Sequence, residues 1–105
     1  TKLQHPALIQ YLTSRGIKLS IGNEFCVEVH YSFKAKNYFA IGLKNNSGGY
    51  ELRNKIYKNN SSPKDVTLIR NQKKNLVICE GMFDLLSIAS FHNNLSKKAD
   101  ILFLT

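Results

Sequence analysis

Apolar and polar positions along this chain follow different rhythms in its first and second halves. In HPALIQYLTSRG, Leu8, Ile9 and Leu12 recur at helical spacing. Pro6 suits the first turn, where its missing N–H leaves nothing unpaired. Arg15 favours the C-terminal end of such a helix, and Gly16 is a natural stop. A second short helix is expected after Ser20, which would cap it, ending near Phe25. The period then falls to two. In CVEVHYSF, Val27, Val29, Tyr31 and Phe33 alternate with Glu28, His30 and Ser32, a half-buried strand. KAKN reads as a polar turn. YFAIGLK alternates again, with Phe39, Ile41 and Leu43 on one face. NNSGG supplies residues for positive-φ turn positions, and YELRNKIY is a third strand. Together these predict an antiparallel meander with short loops.

After that the pattern changes. KNNSSPKD is a polar loop with Pro63, VTLI a short strand and RNQKKN a charged link. LVIC is a continuous apolar run, which suits a strand covered on both faces. Beyond Gly81, Met82, Leu85, Leu86 and Ala89 mark one helical stripe, with Asp84, Ser87 and Ser90 on the other side. HNNLSKKAD is a polar connection and ILFL another buried-type strand. Strand, helix and strand in that order predict a right-handed βαβ unit. The expected fold is therefore an α+β N-terminal part, residues 1–70, running into a partial α/β unit, residues 71–105. Ligands of open α/β sheets sit beyond the carboxyl ends of the strands. The chain stops just after its last strand, so a fragment cut inside or at the edge of an α/β domain is expected.

Composition narrows the class. With 43% apolar residues in 105, one modest core is expected. No apolar run reaches the length of a membrane span, and no signal segment opens the sequence. Cys26 and Cys79 sit in strand-like runs far apart. They read as buried hydrophobes in a reducing, cytoplasmic setting, with a disulfide as the lesser alternative and no Cys or His pair at zinc-ligand spacing. The net charge of +8 favours an anionic partner, nucleic acid above all. A lysine- and asparagine-rich soluble surface is the plain alternative.

One acid stands out. Glu80 lies between a buried strand and a helix N-terminus. It could cap the helix, worth about 0.3–1 kcal/mol, or be a solvated strand end. With Gly81 letting the backbone come close, it is also well placed to hold a hard cation or to act as an acid or base.

LVICEGMFDLLSIASF resembles the first motif of the Toprim domain, shared by bacterial primases, topoisomerases and some nucleases and recombination proteins. In the primase form an apolar strand precedes Glu-Gly, an aromatic or Met pair, Asp and an apolar helix, matched here by Leu76–Cys79, Glu80, Gly81, Met82 and Phe83, Asp84, and Leu85–Phe91. ADILFLT resembles the second Toprim strand. Upstream, the helix ending in Arg15-Gly16, the turn leading to an arginine in GGYELRN, and the Ser62-Pro63 loop resemble the small mixed subdomain that precedes Toprim in bacterial DNA primases of the DnaG type. Primase-like proteins of plasmids and mobile elements are the nearest fit. The resemblance implies DNA-templated synthesis of short RNA primers in a full-length parent. Glu80 would be catalytic and part of a Mg²⁺ (or Mn²⁺) site, with Gly81 and Asp84 supporting the motif. Single-stranded DNA template and nucleotides would be partners, and a replicative helicase a further one. The later Asp-x-Asp motif of Toprim is absent from this sequence, and neither Asp84 nor Asp100 substitutes for it, so no tightly bound metal and no activity are expected of these residues alone. Another Toprim enzyme, or a non-catalytic nucleic-acid-binding module, is the rival reading.

Basic residues complete the expectation. Arg53 ends a strand beside the glycine-rich turn, where its planar fork could clamp a phosphate or template backbone. Lys58 and Lys64 flank the Ser-Pro loop, and Lys44 and Lys55 extend the same face. Tyr38, Tyr50 and Tyr57 could stack on single-stranded bases, although at strand spacing such residues are more often cross-strand pairs.

Overall fold

A computed structural model describes residues 2–56, 58–61, 63, 65–70, 72–91 and 99–103. Helix α1 spans Pro6–Ser14, with Pro6 in its first turn and the His5 ring accepting the Ala7 N–H at 3.1 Å. Leu8 and Leu12 form its buried stripe. Its end is a Schellman motif. The Ile17 N–H reaches Leu12 O at 2.9 Å and the Gly16 N–H reaches Thr13 O at 3.0 Å, with Gly16 at φ +74. Helix α2, Leu19–Phe25, starts two residues earlier than Ser20 would allow as a cap. Lys18 takes that position, with no side-chain capping bond. Burial rather than capping therefore holds α2: it lies against α1 and against the later helix α3 (Met82–Phe91), and Leu3 and Leu12 contact its Gly22.

Strands β1 (Val27–Phe33), β2 (Lys36–Lys44), β3 (Tyr50–Arg53) and β4 (Lys58–Asn60) form an antiparallel sheet in sequence order. The turn between β1 and β2 is only Lys34-Ala35, so Lys36 and Asn37 of the expected turn are already in β2. The expected third strand is broken at Asn54. Its side chain donates to Phe39 O and accepts the Ile56 N–H, which bends the chain away after Arg53. The chain then re-enters the sheet as β4, where a loop was expected.

The helices cover one face of this sheet. Ile41 and Leu43 enter the core there, and the His5 ring stacks on Phe39. By register, Glu28 and His30 share that face, so the apolar set of β1 points the other way. The polar pair is accommodated because Glu28 Oε1 accepts the Gln4 and His5 N–H groups at 2.9 and 2.7 Å and Oε2 meets His30 at 2.6 Å.

A second sheet comprises β5 (Thr67–Ile69), β6 (Asn75–Cys79) and β7 (Ala99–Phe103) in the order β5-β7-β6. β6 and β7 are parallel and joined through α3, a βαβ unit, while β5 pairs antiparallel to β7. Met82, Phe83, Leu85, Leu86 and Ala89 of α3 are buried. The reading of LVIC as covered on both faces is corrected here. Leu76 and Ile78 are 55% and 57% exposed, while Val77 and Cys79 face inward, because α3 covers only one side. The fold as a whole is α+β. Its core crosses residue 70, since Leu8, Leu12 and Ile41 share one cluster with Leu85, Leu86 and Ile101. Cys26 and Cys79 are both free and buried in it.

The two sheets are tied by loops. The Asn45 amide donates to Pro63 O at 2.8 Å, the Asn46 N–H to Val66 O at 2.9 Å, and the Thr67 hydroxyl to Lys44 O at 2.9 Å. Gly49 makes this closeness feasible, for a Cβ there would stand 2.0 Å from Pro63 O.

Candidate functional site

The carboxyl ends of β6 and β7 lie together, with Cys79 paired to Phe103. Glu80 follows directly and is exposed. Gly81 comes just before α3, its carbonyl accepting the Leu85 N–H at 3.1 Å. Asp84 lies in the first turn and folds back on this glycine: a Cβ at position 81 would be 3.2 Å from its carboxylate oxygen. Glu80 and Asp84 border one shallow cleft of about 450 Å³, shared with Cys79 and Ser87. Burial, and then the nearby Asp84 charge, push the Cys79 thiol above its ordinary value. Asp100 sits at the opposite end of the parallel pair, opposite Leu76, where its carboxylate accepts the Lys73 N–H at 3.1 Å.

The residues therefore offer a hard cation two carboxylates at one cleft. No group of three His, Cys, Asp or Glu side chains suited to a metal occurs among the described residues. That donor set fits a magnesium ion, which takes one or two carboxylates and keeps water or phosphate oxygens for the rest.

Beside this segment lies a cluster assembled from three elements. Phe83, the second residue of α3, is 5% exposed. The Arg15 guanidinium, from the end of α1, stands 4.5 Å from its ring centroid. That of Arg53, from the end of β3, stands 5.3 Å away. Tyr11 meets the same ring edge-on at 5.2 Å, and its hydroxyl lies 3.5 Å from an Arg53 terminal nitrogen. Contacts of this kind contribute about 0.5–2 kcal/mol each, more as water is excluded. Arg53 Nε is buried with no hydrogen-bond partner among the described residues. No carboxylate pairs with either arginine among those residues, where the one ion pair is His30–Glu28. Two guanidinium groups thus converge on the ring of Phe83, three residues after Glu80, and no ion pair to either is found among the described residues.

Lys58 is directly opposite Arg53 in the β3–β4 register and shares its face. Lys44 does not extend that face. It pairs with Tyr50 on the outer side, because alternate strand residues point oppositely. Lys55 sits in the turn after Asn54 and lines a separate groove against α1, with Tyr11 and Phe39. Arg53 also lies at the far end of β3 from the glycine-rich turn, not beside it. Lys64, Tyr57 and Ser62 lie outside the described residues. Arg15 and Tyr11 were not among the expected site residues. Periodicity marks Arg15 only as a helix end, and the Arg-Gly pair was the one signal that could have raised it.

Residues 1–62 match the family model described as Domain of unknown function (DUF8464), and the chain belongs to that family. No curated protein and no solved structure matches the chain. The matched residues contain Arg15 and Arg53; Glu80 and Asp84 lie beyond them.

Proposed function

We propose that the chain is part of a primase-type nucleotidyltransferase that makes short RNA primers on a single-stranded DNA template, with the β6–α3–β7 unit as the opening of a Toprim domain. The observation that supports this reading is the convergence of Arg15 and Arg53 on Phe83, three residues after Glu80. An acid at a strand end and two guanidinium groups with no ion pair among the described residues suit a metal-held, phosphate-rich substrate.

Glu80 would hold Mg²⁺ through its carboxylate, and Asp84 borders the same cleft. When bound, the ion supplies activation of the attacking 3′ oxygen and neutralisation of phosphate charge. Arg53 would grip a phosphate of template or nucleotide through its terminal nitrogens, held in place by the Phe83 ring and Tyr11. Lys58, exposed on the same face, would continue the phosphate path.

The test is ribonucleotide incorporation on single-stranded DNA, with Mg²⁺ or Mn²⁺, by the protein that carries this chain, beside its Glu80→Gln variant. Glu80→Gln keeps shape and removes charge. Synthesis is expected to fall on the order of a hundredfold or more, since metal stabilisation is worth several kcal/mol. Thermal unfolding should stay nearly unchanged. A folded variant with near-normal synthesis would reduce Glu80 to a helix cap and overturn the reading.

A further inference from the structure

The outer face of the four-stranded sheet has a composition that its register makes plain. Tyr31 pairs with Tyr38, Phe33 with Lys36, and Lys44 with Tyr50, all pointing away from the helices. The sheet's two acids, Glu28 and Glu51, both point the other way, opposite Ile41 and Leu43. Val27, Val29, Ala40 and Leu52 share this face, Ala40 and Leu52 buried at its centre, so among the described residues the outer face carries an apolar middle, aromatic rings and lysines, and no carboxylate.

The rings are arranged as a surface. Those of Tyr31 and Tyr38 stack with centroids 5.3 Å apart and 19° between planes. Tyr50 lies over Gly42, where a Cβ would stand 3.2 Å from its Cδ1. Phe33, one pleat beyond Tyr31, is 55% exposed. The Lys34 ammonium stands 5.3 Å from the Phe33 centroid. The turn that carries this lysine holds Lys34 at φ 50 and Ala35 at φ 62, a conformation that side chains other than glycine rarely adopt. Positive φ at both central residues is the type I′ geometry of a two-residue hairpin, and it holds Lys34 beside the Phe33 ring.

We propose that this outer face binds single-stranded nucleic acid, with Phe33 and the Tyr31–Tyr38 pair as the stacking platform and Lys34, Lys36 and Lys44 taking the phosphates. Charge decides between occupants. A second copy of a chain with net charge +8 would bring lysines against lysines, whereas a phosphate backbone complements the face. Bases stack on aromatic side chains without regard to sequence, while the lysines follow the backbone. The surface is on the opposite side of the sheet from Arg53, so the proposal stands even where the nucleotidyl-transfer reading fails.

The experiment is binding of labelled oligo-dT and oligo-rU of about twelve nucleotides, the scale of one stacking platform, to the protein carrying this chain. Phe33 is exposed, so Phe33→Ala is expected to fold, as circular dichroism will check. It should weaken binding about five- to hundredfold. Lys36→Ala and Lys44→Ala should each lower the slope of log K against log salt by about 0.7. Tyr31→Phe with Tyr38→Phe keeps both rings and should retain affinity. The chain has no tryptophan, so quenching of its tyrosine emission reports stacking directly. A blunt duplex, whose bases are hidden, should bind about tenfold or more weakly than the single strand. Unchanged affinity in Phe33→Ala, equal binding of the duplex, or loss of binding in Arg53→Ala alone would each overturn the proposal. So would a self-associating chain that Phe33→Ala turns monomeric without altering its affinity.

Discussion

Glu28 lies on the helix-facing side of β1, where a period-two reading puts an apolar residue. Its side chain is 8% exposed. The His30 hydrogen bond, ahead of those from the Gln4 and His5 backbone, pulls its carboxyl down to about 2 from an ordinary 4.5. The unfolded chain thus binds a proton at Glu28 at higher pH than the folded one does, so stability rises with pH across that window. The contribution is complete above about pH 4.5 and lost as pH falls through about 2. Glu28→Gln cannot carry the charge. Thermal unfolding of wild type and variant at several pH values should show a gap that is full at neutral pH and closes in strong acid. A gap independent of pH would mean the carboxylate contributes only its shape. Arg53 on the same face is the opposite case, with a buried Nε that nothing among the described residues satisfies. A carboxylate among backbone donors stabilises, whereas a buried guanidinium nitrogen without a partner costs the desolvation of that donor.

At the scale of elements, the loop after β2 does more than turn the chain. Residues 45–49 dock on the segment leading into β5, and Gly49 lies where any side chain would strike Pro63 O. Gly49→Ala is expected to cost about 1–3 kcal/mol, the range for forcing extra atoms into a packed site. Denaturant unfolding measures it, and limited proteolysis between residues 61 and 66 tests whether the damage is local. Unaltered stability and cleavage would mean the two loops merely lie side by side. The glycines of NNSGG were legible as turn formers. Their docking was not, because the partner carbonyl belongs to a segment far along the chain. Helix α1 was legible to within a residue, since Pro6, its apolar stripe and Gly16 are all local signals. The break at Asn54 was not, because it depends on the Asn54 side chain reaching Phe39 O in a neighbouring strand.

For the whole molecule, one core joins the part within the matched family to the βαβ unit beyond it. Leu12 and Leu86 are both 1% exposed or less and belong to the same cluster. Leu12→Ala and Leu86→Ala should each destabilise by about 2–5 kcal/mol, and each should shift one common unfolding transition rather than part of it. Calorimetry would refute a shared core if either variant moved one of two separate transitions. No helix among the described residues is long and apolar enough to cross a membrane.

Local patterning by itself determined the helices, the antiparallel meander and the strand–helix–strand order, because the hydrogen bonds and periods involved span few residues. It also isolated Glu80, a single acid between two apolar segments. The tertiary structure alone decided which face each strand turns inward. Period two defines two faces without saying which one the helices cover, and here the polar face of β1 is the inner one because the N-terminal segment supplies donors to Glu28. It likewise gathered Arg15, Arg53 and Phe83, separated by tens of residues, and put Tyr31, Phe33, Tyr38, Tyr50, Lys36 and Lys44 on the outer sheet face. Those juxtapositions depend on how the elements pack, which no local pattern encodes.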